Sequence, residues 1–130
     1  MAAAAEQLTF ARCDLGEVWH LLKAARTERV QTNPAETLED LAARGEAFKV
    51  MLGGELVGAY LLEVHGPEVW ILLAGGRAPV DLAHYGFAML EQQARDFDSI
   101  GFQTRRPGLI KKAKRAGFEV AAVVMRKRLR

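Results

Sequence analysis

The sequence has few of the residues that form covalent or metal-based sites: its 130 residues include one cysteine, one serine and three histidines. A single cysteine, Cys13, excludes an internal disulfide and a cysteine-based metal site. The only serine, Ser99, lies in no motif typical of a nucleophile elbow. His20, His65 and His84 share no metal-ligand spacing, so we predict no metal site.

Long apolar runs and targeting signals are also scarce. No apolar run approaches the ~20 residues needed to cross a bilayer. The start, MAAAAEQLTF, has neither the basic nor the long apolar region of a signal peptide, and we interpret it as a frayed end or a first helical turn. Half of the residues are hydrophobic and 26% are charged, as in ordinary globular proteins. We therefore expect one cytoplasmic domain spanning residues 1–130.

Charge is divided unevenly along the chain, although the formal net charge is only +2. The segment from Arg105 to Arg130 has ten basic side chains and one acidic, which gives it +9. Residues 1–104 have eight basic and fifteen acidic side chains, which gives them −7. This division indicates either an anionic ligand or partner near the C-terminal part, or a solvated basic face that the acidic part balances.

The spacing of apolar residues, with glycine, proline and N-cap signals between them, predicts nine helices and strands. Three consecutive strands joined by tight turns predict an antiparallel meander. The strand–helix–strand unit after them needs a right-handed crossover, so its two strands should be parallel neighbours. We therefore predict an α+β fold, a mixed, mostly antiparallel central sheet flanked by helices. The predicted elements are helices 14–26 and 35–44, strands 47–52, 55–64 and 68–76, a helix from Asp81 with apolar residues as far as Phe97, strand 99–104, helix 107–116 and strand 118–125.

The strand–turn–helix unit at 68–97 is the stretch that most suggests a ligand. Gly75–Gly76 breaks the strand, since glycine adopts backbone angles that other residues resist, and Asp81 is a typical N-cap. Free N–H groups at the start of such a helix can hold an anion, typically a phosphate. Asp81 would compete for the same donors, and Arg77, Arg105 or Arg106 would offset its charge.

Three stretches of the sequence match a known pattern in their order and spacing: GELVGAYLLEV at 54–64, HYGFA at 84–88 and RAGFEVAAVVMRK at 115–127. Together with the order of elements, they resemble the GNAT superfamily of acyl-CoA-dependent N-acetyltransferases over nearly the whole chain. The first resembles the family's hairpin and third strand. The second resembles its pyrophosphate loop, written as Gln or Arg, two residues, Gly, one residue, then Gly or Ala. The third resembles its last helix end, Gly-Phe junction and closing strand.

The resemblance implies that the chain binds acetyl-CoA as co-substrate and transfers the acetyl group to an unknown amine by direct attack. Glu68 is the implied base, since it opens the strand on which many relatives carry a catalytic glutamate, and Tyr85 is a candidate proton donor. Gly86 would let the helix start approach a phosphate closely. The implied cofactor-binding residues are Leu73, Ala74, Arg77, Ala83, His84, Tyr85, Gly86, Phe87, Ala88 and Arg106.

Several of these residues have a second interpretation that involves no ligand. Glu68 also fits an exposed acid at a strand start, and Tyr85 fits a half-buried anchor of its helix. His84 fits a surface residue or one beside a phosphate. Gly86 fits a position where helix and sheet pack closely.

Three positions depart from the family's pattern. Ala83 stands where the pyrophosphate loop begins with Gln or Arg, and Ala113 stands where the family often places a tyrosine as general acid. Arg106 stands where an asparagine often opens the last helix. We predict from Gly86 and Ala88 that the chain is an acetyltransferase.

The departures favour an alternative function, a GNAT-like binding or assembly module that has lost catalysis. Such a module would use its basic C-terminal face on an acidic protein or nucleic acid, although direct nucleic-acid binding has only the charge of the tail in its favour. The last strand pairs either within its own chain or with a second copy in a homodimer, and the sequence leaves both open.

Overall fold

The computed structural model describes residues 8–27 and 31–130. None of the helices in these residues is long and apolar enough to span a membrane. The elements in chain order are β1 Leu8–Arg12, α1 Leu15–Ala25, α2 Leu38–Arg44, β2 Glu46–Leu52, β3 Glu55–His65, β4 Glu68–Gly76, α3 Leu82–Gln93, β5 Ser99–Phe102 and α4 Pro107–Arg115.

The strands form one sheet in the order β1-β2-β3-β4-β5. The first four strands pair antiparallel with one another, and β5 pairs parallel with β4. The predicted meander, the parallel crossover and the α+β class are therefore confirmed.

The two faces of the sheet carry different helices because side chains alternate along each strand. On β3, Ala59 and Leu61 point into a cluster with α1 and α2, whereas Tyr60 and Leu62 point into a cluster with α3. Leu61 and the α1 residue Leu22 are completely buried. Helices thus cover both faces of the sheet. The parts of the sheet that a ligand can reach are its edges and the ends of its strands.

Two predictions at the ends of the chain are wrong. Leu8–Arg12 forms an edge strand paired with β2 rather than a frayed end or helical turn, and residues 1–7 lie outside the described part. The segment 118–125 is not a strand, although its residues favour that conformation. A strand needs a neighbour to satisfy its backbone groups, and among the described residues none pairs with this segment.

Other boundaries differ by a few residues. The second helix begins at Leu38 rather than residue 35, because Thr37 accepts a hydrogen bond from the backbone N–H of Asp40 and caps it there. The third ends at Gln93, which leaves Phe97 37% exposed beyond it.

Candidate functional site

The sheet opens between β4 and β5. Their parallel pairing covers four pairs, from Glu68 with Ser99 to Ile71 with Phe102. Within the described residues, β4 continues to Gly76 with no strand on that side, still paired with β3 on the other. We call this opening, between residues 72–76 and the chain after Phe102, the fork. Backbone N–H and C=O groups on the open side of β4 face it without a ladder partner.

A β-bulge lies where the fork begins. On β3, Leu61 pairs with Leu73 and Leu62 pairs with Ile71, so Leu72 is an extra residue on β4. A bulge bends its strand and increases the local twist. Because the bend coincides with the last pair to β5, it accounts for the parting of the two strands.

Two glycines hold the open half of β4 against its other neighbours. A Cβ on Gly75 would lie 2.4 Å from the Cβ of Ala25 on α1, and one on Gly76 would lie 2.4 Å from the carbonyl oxygen of Val57 on β3. The backbone N–H of Arg77 then donates to that same Val57 carbonyl at 2.9 Å. Contacts with α1 and β3 therefore hold residues 72–76 in place, while the edge that faces the fork stays accessible.

The start of α3 is capped by Asp81, as predicted. Its Oδ1 accepts a hydrogen bond from the backbone N–H of His84 at 3.2 Å and another from Lys112 Nζ of α4 at 3.2 Å. The backbone hydrogen bond and then Lys112 hold the pKa of Asp81 below its ordinary value. The carboxylate thus uses part of the anion-binding capacity of this helix end, and Lys112 partly neutralises its charge.

Gly86 lies on the second turn of α3 with open space beside it. A Cβ placed there would meet no atom within 4 Å, so the alternative interpretation as a close helix–sheet contact is wrong. Ala88 is exposed and Ala83 is half-buried. A ligand can therefore approach this part of α3.

Phe87, one of the predicted cofactor residues, is instead part of the core. Its ring lies 5.7 Å from that of Phe102 at the end of β5 and 4.9 Å from that of Phe118 after α4. The side chain of Leu73 is also buried, at 6% exposure. Leu73 and Phe87 can therefore contact a ligand through their backbone rather than their side chains.

The two predicted catalytic residues lie on opposite faces of the sheet. Tyr85 is half-buried on α3, with its ring edge-on to that of His84 at 4.9 Å. Glu68 begins β4, at the end of the paired half that is farthest from the fork, and its Oε2 accepts a hydrogen bond from Ser99 Oγ at 2.7 Å. The structure therefore does not bring Tyr85 and Glu68 together.

Glu68 lines a pocket of about 300 Å³ on the face that carries α1 and α2. Glu36 comes from the α1–α2 connection, and Trp70 and Leu72 come from β4 on the same wall. The pocket reaches Gln103, just past the end of β5, so it touches the start of the fork. No pattern in the sequence indicates this pocket, because its walls meet only in the folded sheet.

Ion pairs organise the far wall of the pocket. Arg44 Nη1 lies 2.7 Å from a carboxylate oxygen of Glu36, and Arg44 Nε lies 3.5 Å from one of Glu63. His65 contacts Glu63 through Nε2 and stacks on Trp70 with ring centroids 5.9 Å apart. Glu68 differs from these carboxylates, since its partner is the neutral Ser99.

The predicted basic residues lie around the open end. Arg77 is exposed directly after β4, and Arg106 is the exposed N-cap of α4. Arg105 donates to the carbonyl of Gln31 at 3.3 Å, which ties the chain after β5 to the α1–α2 connection. Among the described residues, no three His, Cys, Asp or Glu side chains are grouped so that they could hold a metal ion.

Comparisons with known proteins give matches in structure and none in sequence. No protein-family model matches the chain, and no curated protein matches it. An acetyltransferase of Bacillus subtilis, solved with CoA, superposes with TM-score 0.64 at 18% identity over 89% of this chain and 78% of its own. A GNAT-family acetyltransferase of Elizabethkingia anophelis, solved with acetyl-CoA, gives 0.63 at 18% identity over 90% and 79%. The chain has the GNAT acetyltransferase fold.

A third similar structure is close to this chain in length. An aminoglycoside acetyltransferase from an uncultured soil metagenomic sample, solved with sisomicin, superposes with TM-score 0.65 at 16% identity. The match covers 96% of this chain and 98% of that one.

Ala113 departs from the GNAT pattern. It is 4% exposed, so the position where a tyrosine is often found is here a small packed residue.

Proposed function

We propose that this protein is a divergent member of the GNAT superfamily, an acetyl-CoA-dependent N-acetyltransferase that acts on an amine. The observation that carries the proposal is the fork. A strand that loses one neighbour halfway along its length leaves a row of backbone donors and acceptors accessible. Such a row can bind the extended amide-containing arm of CoA by adding it beside residues 72–76.

The start of α3 supplies the site for the diphosphate. Peptide N–H groups of the first turn carry partial positive charge, and Gly86 leaves room beside them. Arg77 and Arg106 are exposed near the open end and offset the charge of Asp81. Backbone groups do most of this work, so Ala83 weakens the phosphate site without removing it.

The acceptor amine enters from the other face of the sheet. The pocket beside Glu68 reaches the start of the fork from the side opposite α3. Acetyl-CoA supplies a thioester that an amine can attack directly, with no acetyl group passed to the protein. Glu68 serves as the base that takes the proton from the incoming ammonium, and Ser99 holds its carboxylate in place.

Proton supply to the departing thiolate differs from the usual family pattern. Ala113 has no proton to give, whereas Tyr85 is half-buried in the first turns of α3, the helix that follows the open half of β4 in the chain. We propose Tyr85 as the donor. A Tyr85→Phe variant should lose turnover while it retains acetyl-CoA binding.

The alternative function, a non-catalytic binding or assembly module, has one structural observation in its favour. Asp81 and Lys112 occupy the start of α3 with their own ion pair. In such a module, acetyl-CoA would produce no stabilisation. The two functions therefore make opposite predictions for a single binding experiment.

That experiment is thermal unfolding with and without acetyl-CoA, on the wild type and two variants at Gly86. A ligand that binds only the native state at 100 times its Kd adds about 2.7 kcal/mol to the free energy of unfolding. Gly86→Glu places a carboxylate in the open space and should abolish the shift in melting temperature. Gly86→Ala is the matched control, since its methyl group meets nothing within 4 Å and the shift should persist.

The second measurement is release of the CoA thiol in the presence of a panel of primary amines. Release that depends on the amine and falls in Glu68→Gln supports the acetyltransferase. No shift with acetyl-CoA in the wild type would favour the assembly module. A shift with no release on any amine would contradict the catalytic half of the proposal.

A further inference from the structure

One side of α4 carries several exposed cations. Lys111, Lys114 and Arg115 are three and four positions apart, so their side chains are neighbours on the helix surface. Lys112 is exposed beside them. Among the described residues, only Lys112 of these four is in an ion pair, with Asp81. Like charges at these spacings repel one another, so this side of α4 has a cost in stability.

Other cations on the described surface are matched by acidic partners. Arg12 pairs with Glu46. Lys49 pairs with Glu17, and Arg44 contacts two glutamates. The first turns of α1 and α2 contain acidic residues, whereas that of α4 contains none. A basic face that is merely solvated would be expected to contain both signs of charge, so that interpretation does not account for α4.

The dipole of α4 accounts for only part of the arrangement. Lys112, Lys114 and Arg115 are in the last turn, where cations are stabilised by the partial negative charge of the free carbonyl groups. Lys111 lies before that turn, and the basic tail lies beyond the helix. The dipole effect is confined to the last turn and does not explain these residues.

The chain before α4 and the chain before the tail are held at one place. Arg105 donates to the carbonyl of Gln31 at 3.3 Å, and Arg126 donates to the carbonyl of Thr32 at 3.0 Å. Because Gln31 and Thr32 are consecutive, the two guanidinium groups lie close together. Both α4 and the tail therefore begin near this place. We call their exposed cations the basic surface: Lys111, Lys112, Lys114, Arg115, Lys127, Arg128 and Arg130.

The composition of the basic surface favours a polyanion over a folded protein as its partner. Interfaces between proteins have an apolar core in which aromatic residues are common and lysine is rare. The exposed side chains of α4 are Pro107 and four cations, and four of the seven cations of the basic surface are lysines. Lysine and arginine are the side chains that contact the phosphates of nucleic acids.

We propose that the basic surface binds the phosphate backbone of a nucleic acid without reading its sequence. Its cations would displace the counterions that surround the phosphates, and this release supplies the free energy of binding. The basic surface contains no aromatic side chain on which a base could stack. This function goes beyond the acetyl-CoA site and does not depend on it.

The test is a titration of labelled nucleic acids with the full chain, followed by fluorescence anisotropy. An RNA strand, a DNA strand and a DNA duplex of one sequence share the phosphate backbone, and their relative affinities identify the preferred form. We expect a Kd of about 10⁻⁴–10⁻⁶ M, as for other binding that is independent of sequence. The affinity should fall steeply between about 50 and 200 mM salt.

The first variant combines Lys111→Gln, Lys114→Gln and Arg115→Gln. It removes three cations from α4, so the slope of log K against log salt should become shallower by about two to three. Thermal unfolding checks that the variant remains folded.

The matched control combines Arg12→Gln, Lys23→Gln and Arg95→Gln. These residues are also exposed but lie outside the basic surface, and the change in net charge is the same. Its slope should equal that of the wild type. Equal losses in the control and in the α4 variant would show that net charge alone causes the binding, and would overturn the proposal.

A variant of the tail covers the case in which the α4 variant unfolds. Lys127→Gln, Arg128→Gln and Arg130→Gln lie beyond α4 and leave that helix unchanged. The slope should again become shallower by about two to three. No change in this slope would exclude the tail and overturn the proposal as stated.

Two further results would overturn the proposal. One is the absence of binding to all three nucleic acids at about 50 mM salt, where such contacts are strong. The other is displacement of the nucleic acid by poly-glutamate as effectively as by the same nucleic acid without label. That result would assign the basic surface to an acidic protein.

Discussion

The two halves of β4 have similar apolar composition but different neighbours. From Glu68 to Ile71 the strand is paired on both sides, with β3 and with β5. From Leu72 to Gly76 it is paired with β3 alone among the described residues. The closed half contributes a carboxylate to a pocket, and the open half contributes backbone groups to the fork.

One extra residue accounts for the difference between the two halves. Leu72 lies at the boundary between the two halves, and it is the bulge. The extra residue shifts the alternation of β4, so that Ile71 lies in the α3 cluster and Leu73 in the α1–α2 cluster. Each still faces the same cluster as its partner on β3. The bulge therefore opens an edge without disturbing the core.

Deletion of Leu72 should have the largest effect on this comparison. Ile71 and Leu73 would then alternate as in a regular strand, the bend would be lost and β4 would pair with β5 further along. We expect a folded protein whose melting temperature no longer responds to acetyl-CoA.

Leu72→Ala is the control for that deletion, because it trims the side chain but keeps the extra backbone residue. It should lose some stability and retain the acetyl-CoA shift. A deletion variant that binds acetyl-CoA as well as the wild type would show that the bulge does not open the site.

Gly75→Ala tests how the open half is held from behind. The added Cβ would lie 2.4 Å from the Cβ of Ala25, so α1 or β4 must move, at a cost of about 1–3 kcal/mol in the free energy of unfolding. Urea unfolding measures this loss. Combining the change with Ala25→Gly should recover part of it, and no recovery would mean that the crowding lies elsewhere.

Tyr60→Phe tests a second support of the open half. Tyr60 pairs with Ala74, and its hydroxyl donates to Gln93 Oε1 on α3 at 3.0 Å. Loss of this hydrogen bond should reduce the free energy of unfolding by about 1 kcal/mol. Thermal unfolding at neutral pH measures the difference.

The same residue gives a pH dependence with a defined sign. Burial raises the pKa of Tyr60 to about 12 in the folded protein, against about 10 when unfolded. Its contribution to stability is therefore complete below pH ~10 and is lost as the pH rises toward 12. Tyr60→Phe should lack this component, and an identical alkaline decline in both proteins would contradict the assignment.

Asp81→Asn should have the smallest effect and act on binding alone. Asparagine caps helices about as well as aspartate, so stability should change little. Removal of a negative charge beside a helix end that holds an anion should tighten acetyl-CoA binding about two- to fivefold. Calorimetric titration measures it, and weaker binding in the variant would place the diphosphate away from α3.

Much of the fold could be predicted from local patterns. The cap at Asp81 and the spacing of apolar residues carry their own physical causes, and the elements that they predict are confirmed. The segment 118–125 shows the limit of such patterns. It has the composition of a strand, but strand formation depends on a neighbour that the pattern does not contain.

The site was less accessible to sequence reasoning than the fold. Gly86 was found through a motif, and the open space beside it agrees with that motif. No residue type or spacing marks the bulge at Leu72 in the sequence, because the bulge follows from the register between β3 and β4. The motif that selected Phe87 does not distinguish a side chain that faces the core from one that faces a ligand, and the Phe87 ring packs in the core.

The most direct test of the account is a titration of the isotope-labelled protein with acetyl-CoA, followed through its backbone amide chemical shifts. If the arm of CoA binds in the fork, the largest changes should occur in the open half of β4, residues 72–76, and in the first turns of α3 around Gly86, with β1 and β2 unaffected. Saturation of the protein with acetyl-CoA while the amides of 72–76 keep their shifts would contradict it.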